Sequence, residues 1–99
     1  MNTLEKLELL KENCDDQMEL DRILGQLLKV ILTRHYQKLS VYNADIEKIE
    51  KKYKLNSNEF EQQFDSGTLG DEMDFFEWFG LCQLRKKILE KIDTLQKVI

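Results

Sequence analysis

The side chains best suited to chemistry in this sequence are one histidine, two cysteines and a run of carboxylates. His35, Cys14 and Cys82 stand far apart, with no CxxC pair and no histidine near either cysteine. Metal sites and catalytic thiols need such neighbours, because a metal requires several converging ligands and a thiol requires an activating group. We therefore predict reduced cysteines that serve as small packing side chains, and a histidine that packs or hydrogen-bonds in a helical seam.

The carboxylates are concentrated between residues 55 and 77, where seven acidic side chains occur and no basic one. A calcium loop beginning at Asp65 would need oxygen ligands at its third and fifth positions, but these are Gly67 and Leu69. A catalytic site built on these carboxylates would need a histidine or other strong nucleophile nearby, and this stretch of the sequence contains none. The sequence thus predicts no catalytic residue, no metal site and no cofactor, and leaves helix capping and recognition as roles for the acidity.

Recognition of a partner protein is predicted for the segment from Asp71 to Trp78. Aromatic anchors with a charged rim are typical of protein interfaces. Four aromatic residues lie within positions 75–79, on more than one side of a helix, so they cannot all enter one thin core. The predicted partner-binding residues are Asp71, Asp74, Phe75, Phe76, Glu77 and Trp78.

Helical spacing predicts an all-α fold that positions these residues. Proline is absent and 34% of the residues are charged, a composition that suits long solvated helices. We treat residues 1–99 as one helical domain. Its predicted parts are a short helix over 3–13, a long helix over 17–54, a short helix at about 58–66 with a turn inside 55–73, and a C-terminal helix over 74–97.

The long helix carries apolar residues at steps of three and four from Leu20 to Tyr53. It would span roughly 54 Å and must therefore lie against another long helix or a second copy. We expect an antiparallel, coiled-coil-like bundle with the C-terminal helix, in a homodimer. A kink near residues 40–45 stays open, and the wide apolar face over residues 20–32 predicts the most buried segment.

Capping residues predict the helix ends. Asn56 and Asp74 each precede a glutamate by three residues, the spacing of a capping box, and Asp71 is an alternative cap for the C-terminal helix. Gly67 fits the left-handed position that ends a helix.

Charge and hydropathy limit the classes of partner and the compartment. No apolar run approaches the about 20 residues of a membrane-spanning helix, and the charged N-terminus does not resemble a secretory leader. We expect a cytoplasmic protein. The basic stretches lack aromatic or glycine-rich recognition elements, so nucleic-acid binding by the protein alone is not expected, while DNA binding by a complex stays open.

The segment from Lys52 to Trp78 resembles the core of a family of small helical prokaryotic proteins with the pattern KYxLxxxEFxxxFxxGxLGDxxDFFEWxxL. The residues that carry the resemblance are Lys52, Tyr53, Leu55, Ser57, Glu59, Phe60, Phe64, Gly67, Leu69, Gly70, Asp71, Asp74, Phe75, Phe76, Glu77, Trp78 and Leu81. The resemblance covers roughly residues 20–95. That family is similar to antitoxin-type proteins encoded beside small toxins, and it brings no catalytic residue.

The resemblance implies a non-enzymatic interaction module that binds and neutralises a toxin-like partner. The alternative is a structural coiled coil or helical bundle that associates only with itself.

Overall fold

The computed structural model describes residues 1–99 and contains four helices and no strand. The helices are α1 (Thr3–Asn13), α2 (Gln17–Tyr53), α3 (Ser57–Asp65) and α4 (Met73–Val98). The all-α prediction is confirmed, with the two short helices within one residue of their expected bounds. α2 continues without a break through residues 40–45, where no glycine or proline interrupts its backbone. None of the four helices combines the length and apolar content needed to cross a bilayer.

The long helix packs antiparallel against the C-terminal helix. At one end, Tyr53 of α2 lies beside Phe75 and Trp78 of α4, with ring centroids 5.1 and 6.1 Å apart. At the other end, the Gln96 amide donates a hydrogen bond to the Tyr36 hydroxyl. The molecule is accordingly a rod, with extents of 60 × 24 × 19 Å.

The core lies where α2 ends, α3 packs alongside and α4 begins. Its buried cluster consists of Ile46, Phe60, Phe75, Trp78 and Cys82. Ile88 and Ile92 continue the buried face of α4 away from this cluster. One end of the rod therefore holds most of the enclosed apolar side chains.

The prediction that residues 20–32 form the most buried segment is wrong. Leu27 and Val30 are 54% and 52% exposed. α4 has 26 residues against 37 in α2 and begins opposite Tyr53, so it ends near Ile31. The N-terminal part of α2 has the expected apolar face but no helix of its own chain to cover it along its length.

Two of the predicted helix ends are confirmed and one is wrong. The Asn56 side chain accepts a hydrogen bond from the Glu59 amide at 2.8 Å, and Gly67 has φ 73°. α4, however, begins after Glu72, which makes no side-chain cap, so neither Asp71 nor Asp74 caps it. The Asp74 carboxylate instead bonds to groups on α2.

Candidate functional site

A buried hydrogen-bond network joins α2, α3 and α4. The Ser57 amide and hydroxyl both donate to one carboxylate oxygen of Glu50, at 2.8 and 2.9 Å. The Ser57 hydroxyl also accepts from Trp78 Nε1 at 3.0 Å. Ser57 is 5% exposed and Trp78 is fully buried, so the buried polar groups of these two side chains both have partners. Sequence reasoning missed Ser57, because only the fold brings Glu50 and Trp78 to it.

Stacked aromatic rings pack beside this network, at the place where α2, α3 and α4 meet, which we call the joint. The Phe60 and Trp78 rings lie parallel, with centroids 3.9 Å apart and planes 6° apart, and both side chains are fully buried. Phe75 is 9% exposed and lies between Tyr53 and Phe60. Because Phe75 and Trp78 are three residues apart, they share the face of α4 that packs on α3 and Tyr53. The fold thus places these two predicted anchors in its own core rather than on its surface.

Asp74 forms a second link between α2 and α4. Its carboxylate accepts hydrogen bonds from Lys52 Nζ and the Tyr53 hydroxyl, both at 2.6 Å. The Tyr53 hydroxyl lies 3.1 Å from a Glu72 carboxylate oxygen as well. Hydrogen bonds from Lys52 and Tyr53 hold the pKa of Asp74 below its usual value, and the same contacts raise the pKa of Lys52 and of Tyr53. Asp74 therefore fastens the start of α4 to the end of α2.

The exposed remainder of the segment forms a surface that we call the recognition patch, made of Asp71, Met73, Phe76 and Glu77. Phe76 is 53% exposed and Met73 is 81% exposed. Phe76 and Glu77 lie three and four residues after Met73, so both are neighbours of Met73 on one face of α4. Asp71 lies exposed in the preceding turn. Met73 was missed from the sequence, although its position three residues before Phe76 is a usable signal.

The recognition patch is supported from beneath. Phe64 of α3 meets the Phe76 ring edge-on, with centroids 5.6 Å apart and planes 87° apart, and also stacks on Phe79 at 4.9 Å. In the turn before α4, the Thr68 amide and hydroxyl both donate to the Gln63 carbonyl at 3.1 Å. The exposed ring of Phe76 therefore packs on one half-buried neighbour, Phe64, which is itself stacked on Phe79.

The histidine and cysteines lie outside this patch. His35 is half-buried beside α4, and its Nδ1 has no hydrogen-bond partner. Both cysteines are free, and burial raises the pKa of the Cys82 thiol. No group of three or more His, Cys, Asp or Glu side chains is arranged to hold a metal ion.

The six residues predicted from the sequence thus fall into two groups. Asp74, Phe75 and Trp78 belong to the joint between the helices, whereas Asp71, Phe76 and Glu77 lie on the exposed patch. Comparison of the chain with protein-family models, with curated proteins and with solved structures finds no match.

Proposed function

We propose that this chain is a non-catalytic interaction protein that binds and neutralises a toxin-like partner protein through the recognition patch. The observation that carries the proposal is Phe76, an aromatic side chain left 53% exposed beside a core that already encloses Phe75 and Trp78. Full burial of such a ring contributes about 1.5–3 kcal/mol. The fold obtains only part of that contribution, because Phe76 stays 53% exposed, so the remainder is available for binding.

The support beneath Phe76 favours binding over mere exposure. Phe64 fixes the ring from below, and the Asp74 link fixes the first turn of α4 on α2. A side chain held in place before binding loses less conformational entropy when a partner arrives. The recognition patch therefore has the character of an anchor that is already in position.

Charge indicates the chemistry of the partner. Asp71, Glu72 and Glu77 are exposed around Phe76 and Met73, and no lysine or arginine occurs between Lys54 and Arg85 in the chain. A basic surface with an apolar pocket would complement this arrangement. Such complementarity sets specificity and association rate more than affinity. The partner that we propose is accordingly a protein with Lys and Arg around an apolar pocket, and nucleic acid is not proposed as a ligand of this chain alone.

The resemblance of the Lys52–Trp78 segment to antitoxin-type proteins supports a toxin encoded beside this chain as the partner. Neutralisation would follow from occlusion of the toxin's working surface, in the cytoplasm, without any covalent step. Co-expression with the product of the adjacent gene tests the proposal: a complex should co-purify, and Phe76→Ala with Glu77→Lys should abolish it. Leu89→Ala is the control, because Leu89 is 46% exposed on α4 but lies outside the patch.

A self-associating helical protein is the second candidate function. The observation that favours it is the uncovered apolar face at the N-terminal end of α2, where Leu27, Val30 and Ile31 are 54%, 52% and 37% exposed. This surface lies at the opposite end of α2 from the recognition patch. The two functions are therefore compatible in one molecule.

A further inference from the structure

The N-terminal part of α2 extends beyond the end of α4. Ile31 and His35 line one groove with Thr94 and Leu95, so the last turns of α4 lie beside this part of α2. Residues 17–30 therefore project by about 20 Å at 1.5 Å per residue. α1 does not enclose them, since it contributes no buried residue and leaves Leu4 64% exposed.

This part of α2, extended by one residue to Ile31, carries a stripe of four apolar side chains. The members of the apolar stripe are Leu20, Ile23, Leu27 and Ile31, at steps of three, four and four. Leu27 and Ile31 are exposed, and the other two are half-buried. Leu20, Ile23 and Leu27 lie away from the face that packs on α4, which Ile46 and Tyr53 occupy farther along α2. Ile31 lies at the edge of that face, beside Thr94 and Leu95.

Opposite charges terminate the stripe. Asp16 lies one turn before Leu20, whereas Arg34 and Lys38 lie one and two turns after Ile31 on the same face. Arg34 and Lys38 are exposed, and neither belongs to any of the four ion pairs of the molecule. The side chains on this face are therefore acidic at its N-terminal end, apolar in the middle and basic at its C-terminal end.

We propose that a second copy of this chain pairs antiparallel with the apolar stripe, about a two-fold axis at Leu27. Leu27 then meets its own copy, Ile23 meets Ile31, and Asp16 meets Lys38. A two-fold contact requires a surface that complements itself. Here apolar residues meet at the centre and opposite charges meet at the two ends, while Arg34 lies opposite Leu20. The seam from residue 16 to residue 38 is roughly 33 Å long.

The charges decide the orientation. A parallel pair would set Asp16 against Asp16 and Lys38 against Lys38, and like charges at such positions disfavour pairing. The antiparallel pair sets them against each other at both ends of the seam. It also places the two recognition patches at opposite ends of the dimer, roughly 80 Å apart, so each is free to bind a partner. The pairing does not depend on the recognition patch, and either can fail alone.

Sedimentation equilibrium of the full chain tests the pairing. The expected mass is twice the 11.8 kDa of one chain. Leu27→Glu places two carboxylates at the two-fold axis and should raise the dissociation constant at least tenfold, whereas Leu89→Glu, a leucine of similar exposure on α4, should not change it. A wild-type chain that stays monomeric or forms a larger oligomer overturns the proposal. So does a Leu27→Glu variant that dimerises as tightly as the wild type.

Disulfide trapping tests the orientation of the two copies directly. In a Cys14→Ser background, Leu27→Cys should cross-link to its own copy on mild oxidation. Leu20→Cys should not, because antiparallel pairing sets the two copies of that residue roughly 21 Å apart along the seam, far beyond the Cα separation of about 7 Å that a disulfide tolerates. Circular dichroism of both variants is the control, and both should remain helical. Equal cross-linking of the two variants indicates parallel pairing, and absence of cross-linking at Leu27→Cys excludes the proposed axis.

Discussion

Trp78 donates a hydrogen bond from Nε1 to the Ser57 hydroxyl oxygen at 3.0 Å, and both side chains are buried. The Ser57 hydroxyl in turn donates a hydrogen bond to Glu50, so this one hydroxyl joins residues of α2, α3 and α4. The aromatic stack and the Asp74 link surround this contact. The recognition patch is carried on the outer face of the same turns of α4, so its geometry depends on the joint beneath it.

Removal of the Ser57 hydroxyl should destabilise the joint. Ser57→Ala leaves Trp78 Nε1 buried without an acceptor, and an unpaired buried donor costs about 1–3 kcal/mol. Urea denaturation of the variant and the wild type measures the loss of unfolding free energy. Ser40→Ala is the matched control, because Ser40 is exposed on α2. Equal effects of the two substitutions would show that the buried bond contributes nothing.

Phe60→Ala should destabilise the fold much more than Phe76→Ala, although both are phenylalanines of the same segment. Phe60 is fully buried and Phe76 is 53% exposed. Phe60→Ala should lower the free energy of unfolding by about 3–5 kcal/mol, the usual cost of a buried aromatic side chain. Phe76→Ala should lower it by only about 1 kcal/mol, because roughly half of the side chain stays in water after folding. A large loss of stability in Phe76→Ala would place Phe76 in the core instead.

The Asp74 link should stabilise the fold only within a range of pH. The pKa of Asp74 is lowered in the fold from 3.8, so its contribution is complete above that pH and is lost as the pH falls through the lowered pKa. The pKa values of Tyr53 and Lys52 are raised from 10.0 and 10.5, so their contributions are complete below pH 10.0 and are lost as the pH rises through the raised values.

Urea midpoints of the wild type and Asp74→Asn, measured from acid to alkaline pH, check this dependence. The difference between the two proteins should be constant between those limits and shrink on the acid side. Asp65→Asn is the control, because Asp65 is exposed and forms no ion pair. A difference independent of pH would contradict the role assigned to the Asp74 carboxylate.

The turn after α3 should depend on one glycine and not on its neighbour. Gly67 has φ 73°, a conformation that costs a residue with a Cβ about 1–2 kcal/mol, whereas Gly70 has no positive φ and open space around it. Gly67→Ala should therefore lower the free energy of unfolding by about that amount, and Gly70→Ala should leave it unchanged or raise it slightly. Thermal unfolding of the two variants measures the contrast.

The features that the sequence predicts correctly are those that depend on neighbouring residues in the chain. The Asn56 cap and the left-handed Gly67 depend on residues a few positions away, and both are confirmed. Asp74 had the same local signal for capping, but its carboxylate bonds to Lys52 and Tyr53, more than 20 residues earlier. Only the packed fold brings those groups together, so a capping pattern could not reveal them.

Burial depends on what lies opposite a face, and a single sequence does not show that. Leu27 belongs to a more apolar stretch of α2 than Ile46, yet Leu27 is 54% exposed and Ile46 is 1% exposed, because α4 covers only the latter. The same reason separates Phe76 from Phe75 and Trp78. The aromatic cluster was visible in the sequence, but its division into core and surface required the position of α3.

Binding to the product of the adjacent gene tests the central claim most directly. Titration calorimetry with that purified protein should give a measurable affinity for the wild type. Phe76→Ala with Glu77→Lys should weaken it at least 100-fold, equal to about 2.7 kcal/mol, while Leu89→Ala leaves it unchanged. No binding by the wild type, or equal binding by the patch variant, would contradict the proposal that Asp71, Met73, Phe76 and Glu77 form a surface that binds a toxin-like partner.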